Sequence, residues 1–155
     1  MAMGTQLTAQ NVANYILVQC DPGEELVASH PELVSHLKLQ KLLYYCQGFY
    51  LAIHNAPLFK EKILHWDHGP VIKEIYEYYK SHEAAPLKAV AKFDESILPT
   101  TAKEIIDEVL TVYGQFSAWK LRDMTHAEPP WKETKDCEEI THDLLKKYFL
   151  SRLNS

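Results

Sequence analysis

Two histidine–carboxylate clusters contain the residues of this sequence best suited to chemistry. The first spans His65 to His68 and holds two imidazoles and one carboxylate, and the second, His126 to Glu128, pairs a histidine with a glutamate. Imidazole and carboxylate groups bind zinc, so these side chains together could form the site of a metal-dependent hydrolase. In a regular strand, however, the side chains of His65 and Asp67 point to one face and that of His68 to the other, so the three cannot easily bind one metal ion. No HExxH or comparable metal motif is present.

A structural role for the second cluster competes with the metal hypothesis. His126 and Glu128 follow the end of a predicted helix, where main-chain carbonyl and N–H groups lack intrahelical partners. Side chains at such a position can bond to those groups and fix the turn before Trp131. The sequence favours this role, so we expect no cofactor and keep the metal-dependent hydrolase as the alternative.

Covalent and phosphate chemistry find little support. The candidate nucleophiles lie in no elbow or family signature; they are Ser81, Ser117, Cys46 and Cys137. The chain has only 5 glycines and neither GxxxxGK nor GxGxxG, which excludes a phosphate-binding loop of either type. The 3 cysteines form no CxxC pair, and reduced cysteines are typical of cytoplasmic proteins. We therefore expect a cytoplasmic protein that is not an enzyme.

Composition limits the classes of partner. The net charge is −5, with acidic and basic residues interspersed, so no basic face for nucleic acid is predicted. No apolar run approaches the roughly 20 residues of a membrane span, and the N-terminal MAMGTQLTAQ does not resemble a signal peptide. A chain of 155 residues fits a single domain over 1–155. We expect neither a nucleic acid nor a membrane as partner.

Apolar periodicity predicts a mostly helical fold. Helices are expected over Thr8–Cys20 and over His36–His54, where apolar residues recur at i, i+3, i+4 and i+7. The second is long enough to cross the domain, and Gly48 in its middle costs about 1 kcal/mol relative to alanine. Close approach by another helix would explain this glycine, because the absence of a side chain permits it. We take His36–His54 as the central core helix.

The remaining elements are shorter. Alternation of apolar and polar residues over Lys62–Trp66 predicts an extended segment. Leu87–Phe93 could form a short strand that pairs with this segment. Further helices are predicted at Pro70–Tyr79, Thr101–Tyr113, Ser117–His126 and Ile140–Tyr148. The fold class is therefore mostly α: a single compact domain of about six helices around one long central helix, with at most a small two-stranded β-ribbon.

Local sequence signals place the helix ends. Thr101 and Glu104 have the spacing of a capping box, and Gly114 is suited to ending that helix. Ser117 can cap the next helix, and the proline pair Pro129–Pro130 prevents it from continuing. Pro70 is suited to the first turn of its helix, because its missing N–H would have no partner there.

Adjacent tyrosines suggest exposed aromatic surface. Consecutive residues of a helix cannot both face one core, so we expect one of Tyr44 and Tyr45, and one of Tyr78 and Tyr79, to be at least partly exposed. Exposed tyrosines favour protein interfaces, because they supply a large contact area at low entropic cost. Alternatively, each ring is buried and only its hydroxyl reaches water.

Three blocks of sequence, in order, resemble the Panacea antitoxin domain family, which includes SocA-like and phage-associated GepA-like proteins. The first block is Leu37–Ala52, and the second carries Trp66, Gly69, Pro70 and Val71 as W-x-x-G-P-V. The third carries a YG…S…L…TH-x-E-x-P-W pattern with Tyr113, Gly114, Ser117, Leu121, Thr125, His126, Glu128, Pro130 and Trp131. The resemblance covers Leu37–Phe149, and the chain departs from the family pattern at His65 and Pro129.

The resemblance implies an antitoxin-like binding module without catalytic activity. Such a module neutralises a partner toxin by direct protein–protein binding, and one branch of the family is a proteolytic adaptor that delivers its toxin to a Clp-type protease. Association with a prophage or a toxin–antitoxin locus is also implied. The residues singled out as family motif and partner-binding candidates are Trp66, His68, Gly69, Pro70, Val71, Tyr113, Gly114, Thr125, His126, Glu128, Pro130 and Trp131.

Overall fold

The computed structural model describes residues 7–21, 34–82 and 87–153. Within these ranges the helices are α1 (Ala9–Gln19), α2 (His36–His54), α3 (Lys73–Tyr79), α4 (Thr100–Tyr113), α5 (Ala118–His126), α6 (Pro129–Lys132) and α7 (His142–Leu153). The two strands are β1 (Leu64–Trp66) and β2 (Gly69–Val71), and single 3-10 turns lie at Lys80–His82 and Glu95–Ile97. The predicted mostly α fold with a two-stranded ribbon is confirmed. The N-terminal segment used for the signal-peptide prediction lies largely outside the described residues.

Helix α2 is the centre of the core, with the bounds that its periodicity predicted. It contacts α1, α3, α4, α5, α7 and the ribbon, so neighbours surround it and almost its whole circumference is buried. Gly48 lets α7 approach, because a Cβ atom at that position would overlap the ring of Phe149. The predicted reason for this glycine is therefore confirmed.

The enclosure of α2 overturns one expectation about the tyrosines. Tyr44 and Tyr45 are both fully buried, because α2 packs against elements on more than one side. Such a helix has no solvent face to which one of two adjacent residues must turn. The expectation is confirmed on α3, where Tyr78 is 53% exposed and Tyr79 is buried.

The ribbon pairs differently from the prediction. β1 pairs antiparallel with β2, which follows after the two-residue turn Asp67–His68, so pairing with Leu87–Phe93 is wrong. The other edge of β1 bonds to a later segment, in which Cys137 N donates to His65 O at 2.8 Å. Pro70 lies in β2 and α3 begins only at Lys73, so the placement of Pro70 in the first helical turn is also wrong.

Apart from Pro70, helix ends follow their local signals with one exception. The Ser117 hydroxyl accepts from Lys120 N at 3.1 Å and caps α5 as predicted, and α5 ends before the prolines of α6. Helix α4 begins one residue earlier than expected, with Pro99 at its N-cap and no side-chain cap. The predicted Thr101–Glu104 capping box is therefore wrong. In the described ranges, no helix combines the length and apolar character needed to cross a bilayer.

Candidate functional site

Glu128 joins α6 to the central helix through two tyrosines. The Tyr44 hydroxyl donates to Glu128 Oε1 at 2.9 Å, and the Tyr45 hydroxyl donates to Oε2 at 2.8 Å. Burial raises the pKa of Glu128, an effect that these two hydrogen bonds oppose. Burial also raises the pKa of both tyrosines, and the neighbouring carboxylate raises them further. Both carboxylate oxygens of Glu128 are thus hydrogen-bonded to the central helix. We call Tyr44, Tyr45 and Glu128 the Glu128 cluster.

Aromatic rings enclose the Glu128 cluster. Tyr45 stacks on Tyr113 with ring centroids 3.9 Å apart and an interplanar angle of 11°. Phe149 of α7 meets Tyr44 edge-on at 5.5 Å and is itself fully buried. Such aromatic pairs add to the stability that area burial provides. The C-terminal helix therefore covers the carboxylate and holds it against α2.

Trp131 stacks with two imidazole rings. The centroids of His65 and His126 lie 4.0 and 4.1 Å from that of the indole, at interplanar angles of 14° and 12°. Trp131 Nε1 donates to Trp66 O at 2.9 Å, and His65 Nδ1 lies 2.8 Å from Trp131 O. These contacts tie the ribbon to the turn after α5, so the two histidine clusters meet around an indole.

The geometry gives the metal hypothesis no support. Glu128 faces the tyrosines, whereas His65 and His126 stack on Trp131. Among the side chains that the structure describes, no three His, Cys, Asp or Glu residues are grouped to hold a metal ion. Burial lowers the pKa of His126, and nearby Arg122 lowers it further. His126 is therefore suited to the neutral ring that packs against the indole.

Lys41 is a buried polar residue that sequence reasoning missed. It is 1% exposed, and its Nζ donates to Pro70 O at 2.8 Å. Burial lowers the pKa of Lys41 to about 7, with the charge of Arg122 acting in the same direction. The one signal in the sequence is a lysine inside the apolar run LQKLL of α2, and its partner is a main-chain carbonyl that no sequence pattern reveals.

Gly69 allows Lys41 to reach the ribbon. Its φ of +108° is a conformation that residues with a Cβ atom rarely adopt. A Cβ atom there would lie 2.8 Å from Lys41 Cε and 2.9 Å from Thr125 Oγ1. Thr125 is fully buried, so α5 and the lysine both press against the glycine. We call Lys41, Gly69, Pro70 and Thr125 the Lys41 cluster.

Gln40 completes the attachment of the ribbon to α2. Its side-chain amide donates to Ile72 O at 3.1 Å and accepts from Ile72 N at 2.8 Å. This pair of bonds replaces the ladder partner that the residue after β2 would otherwise need. Gln40 is 3% exposed and, like Lys41, was missed by sequence reasoning.

Residues 39–132 match the family described as Antitoxin SocA-like, Panacea domain. The chain belongs to this family. It is also 30% identical over 109 residues to Antitoxin SocA of Caulobacter vibrioides (strain NA1000 / CB15N). That alignment covers 63% of this chain and 58% of the relative, so the chain spans less than two thirds of the relative's length. No solved structure matches the chain.

The segment of the Panacea domain match holds both clusters. It begins within α2 and ends at α6, so it includes the two tyrosines, Lys41, the ribbon and Glu128. Helix α1 and helix α7 lie outside it, although α7 supplies the ring that fills the space beside Gly48. The resemblance stated from the sequence is thus confirmed, over a shorter range than Leu37–Phe149.

The structure sorts the family-motif residues into two groups. The ribbon residues Trp66 to Val71 meet Thr125, His126 and Trp131 in and beside the Lys41 cluster. The second group borders the Glu128 cluster and the region after α4: Tyr113 stacks on Tyr45, and Gly114 O accepts from Lys38 Nζ at 2.7 Å. Pro130 is buried and its carbonyl accepts from Thr134 Oγ1 at 2.7 Å. Most of these residues therefore build the fold.

An open pocket lies beside the Lys41 cluster. Its volume is about 520 Å³, and its walls come from the first half of α2, the ribbon, α3 and the loop at Asp136–Cys137. Next to the pocket, the side chain of Trp119 is 60% exposed. The guanidinium carbon of Arg122 lies 5.1 Å from the centre of the Trp119 ring. His68 also meets Trp119 edge-on at 6.0 Å. We call the pocket with Trp119 and Arg122 the open side.

Proposed function

We propose that this chain is an antitoxin-like binding module that neutralises a partner toxin by direct protein–protein binding. The observation that carries the proposal is the family match over residues 39–132. Similarity to a protein named Antitoxin SocA gives further support. We place this activity in the cytoplasm, within a toxin–antitoxin or prophage locus, and we propose that the module has no catalytic role.

The open side offers residue types that are typical of protein interfaces. Trp119 is 60% exposed, Tyr76 is 38% exposed, and Arg122 lies over the Trp119 ring. Tryptophan, tyrosine and arginine dominate the binding energy of measured interfaces. In contrast, Glu128 accepts two tyrosine hydroxyls, and the His126 ring packs against an indole with its Nε2 buried. This contrast favours binding over chemistry.

Co-expression with the product of the neighbouring gene tests the proposal. If that product arrests growth, we expect the wild-type chain to restore growth and to co-purify with the product. Gly48→Leu is a matched loss-of-fold control, because its side chain would overlap Phe149 and disrupt the scaffold. A toxic neighbour that the folded wild-type chain neither binds nor counteracts would contradict neutralisation.

Delivery to a protease is a more specific form of the proposal. As a proteolytic adaptor, the chain would hand its bound toxin to a Clp-type protease. The toxin's half-life would then shorten when the chain and the protease are both present. An unchanged half-life, together with restored growth, would leave neutralisation standing and rule out the adaptor.

A further inference from the structure

The pocket of the open side has apolar and aromatic walls. Leu37 and Val71 line it, together with Trp66 and Tyr76, whose ring centroids lie 5.1 Å apart at 70°. A volume of about 520 Å³ is large enough to admit a long side chain with part of its main chain. These walls suit an occupant with an extended hydrocarbon stem and a group that stacks on aromatic rings.

Two carboxylates lie at the mouth of this pocket. Asp67 is exposed in the ribbon turn, and the side chain of Asp136 is 88% exposed. Asp136 Oδ1 lies 3.2 Å from His65 Nε2, and both residues line the pocket. The whole chain carries a net charge of −5, so a basic partner is favoured over long range as well.

The nearby cations are already engaged. Lys41 Nζ donates to Pro70 O at 2.8 Å, and burial of its amine disfavours the charged form. Arg122 NH1 lies 3.2 Å from Asp123 Oδ1, which offsets its charge. Among the described residues that line the pocket, Lys41 is the only lysine or arginine, so the exposed carboxylates of Asp67 and Asp136 favour a cationic occupant over an anionic one.

We propose that the pocket receives an arginine side chain of the protein partner. The arginine stem packs on Leu37 and Val71, and its guanidinium stacks on Trp66 or Tyr76 while pairing with Asp67 and Asp136. Arginine suits this role better than lysine, because its planar head stacks on rings and bonds to carboxylates in a fixed geometry. The inference rests on the proposed function, of which it names one contact.

Titration with a minimal probe tests the chemistry of the pocket. N-acetyl-arginine amide is added to the isotope-labelled full chain and followed by NMR, with N-acetyl-norleucine amide as the apolar counterpart. We expect saturable shifts at the Trp66 indole and at the amides of the ribbon with the arginine probe alone. Equal binding of the norleucine probe, or saturable shifts only outside the pocket, or none, would overturn the inference.

Charge variants sharpen the titration. The double variant Asp67→Asn with Asp136→Asn should bind the arginine probe about fivefold more weakly, because each carboxylate forms an exposed ion pair with the guanidinium. Glu104→Gln with Glu108→Gln is the matched control, because it removes two exposed carboxylates from α4 and should leave binding unchanged. An unchanged affinity in the double variant, with its thermal unfolding equal to that of the wild type, would contradict the role of the carboxylates.

The same double variant separates this inference from the proposed function. If the toxin binds the wild-type chain and the double variant equally well, the arginine contact is wrong and neutralisation stands. If no toxin binds the wild-type chain, the proposed function fails, and the arginine titration still decides the chemistry of the pocket.

Discussion

The Glu128 cluster and the Lys41 cluster both attach a segment of the domain to α2 through a buried ionisable residue, but their surroundings differ. Around Glu128, the tyrosine hydroxyls occupy both carboxylate oxygens and the ring of Phe149 packs on the tyrosines. Around Lys41, the amine donates to Pro70 O, and the wall that it supports faces a pocket of about 520 Å³. The Glu128 cluster is enclosed by the packed rings, whereas the Lys41 cluster supports the wall of the open pocket.

This difference shows that the chemical type of a residue does not by itself predict its role. Histidine and glutamate at positions 126 and 128 have the chemistry of an active site, but their contacts are a stacked ring and two hydroxyls. Trp119 carries no chemical signal, and yet it is 60% exposed beside the pocket. Surroundings therefore distinguish the two regions: packed rings enclose the Glu128 cluster, whereas the open side exposes Trp119.

Glu128→Ala should have the largest effect on stability. The substitution leaves the buried hydroxyls of Tyr44 and Tyr45 without their acceptor, at about 1 to 3 kcal/mol for each. We expect the free energy of unfolding in urea to fall by about 3 to 4 kcal/mol. Glu133→Ala, an exposed glutamate near the same short helix, is the control. Equal stability of the two variants would show that the Glu128 cluster does not hold the fold.

Gly69→Ala tests the Lys41 cluster in the same assay. The φ of +108° is strained for alanine, and the new Cβ atom would lie 2.8 Å from Lys41 Cε. We expect a loss of about 2 to 3 kcal/mol from backbone strain and displacement of the lysine. In a Lys41→Ala background the same change should cost less, because part of the contact is gone. A fully additive cycle would contradict direct packing of the two residues.

Lys41 should make stability rise between pH 7 and pH 9. Its pKa is about 7 in the folded chain and about 10.4 when unfolded, so in this range the unfolded state holds the additional proton. We expect the free energy of unfolding to increase by about 2 kcal/mol from pH 7 to pH 9. Above pH 9 the rise levels off, because burial raises the pKa of the Cys46 thiol, so the unfolded state loses that proton first and offsets the effect of Lys41.

Lys41→Met provides the control for that pH dependence. The variant keeps the hydrocarbon volume and removes the titrating amine, so its stability should be nearly constant between pH 7 and pH 9. Urea unfolding at the two pH values measures both proteins. A wild-type profile as flat as that of the variant would mean that Lys41 keeps its ordinary pKa.

Trp119→Ala should have the smallest effect on stability. The side chain is 60% exposed and contacts Arg122 and His68 at the surface, so little buried area is lost. We expect the free energy of unfolding to change by no more than about 0.5 kcal/mol. A large loss of stability in the urea assay would show that Trp119 packs into the fold, as the residues of the Glu128 cluster do, and does not belong to an exposed surface.

Local patterns in the sequence predicted much of the fold. The i, i+3, i+4, i+7 spacing placed α2 at His36–His54, Gly48 indicated a close helix, and Ser117 marked a helix start. Each of these signals depends on neighbours along the chain or on the residue itself. The partner of β1 was missed because β2 has only three residues, Gly69–Val71, and Pro70 within it was interpreted as the first turn of a helix.

The site was less accessible to sequence reasoning, because its contacts are tertiary. Tyr44 and Tyr45 are both buried only because several elements surround α2, and their acceptor lies more than 80 positions away. Lys41 resembles an ordinary surface lysine until Pro70 O is placed beside it. The family pattern found the positions of Gly69, Thr125 and Glu128, and the structure supplied the reason for each.

Calorimetric titration of the chain with the product of the neighbouring gene tests the central claim, that the open side binds the partner. Trp119→Ala should bind about tenfold more weakly than the wild-type chain, as interface tryptophans do. Val112→Ala, which shortens a side chain that is 41% exposed on α4, should bind as the wild type does. Wild-type affinity for Trp119→Ala, or a loss confined to Val112→Ala, would contradict the claim.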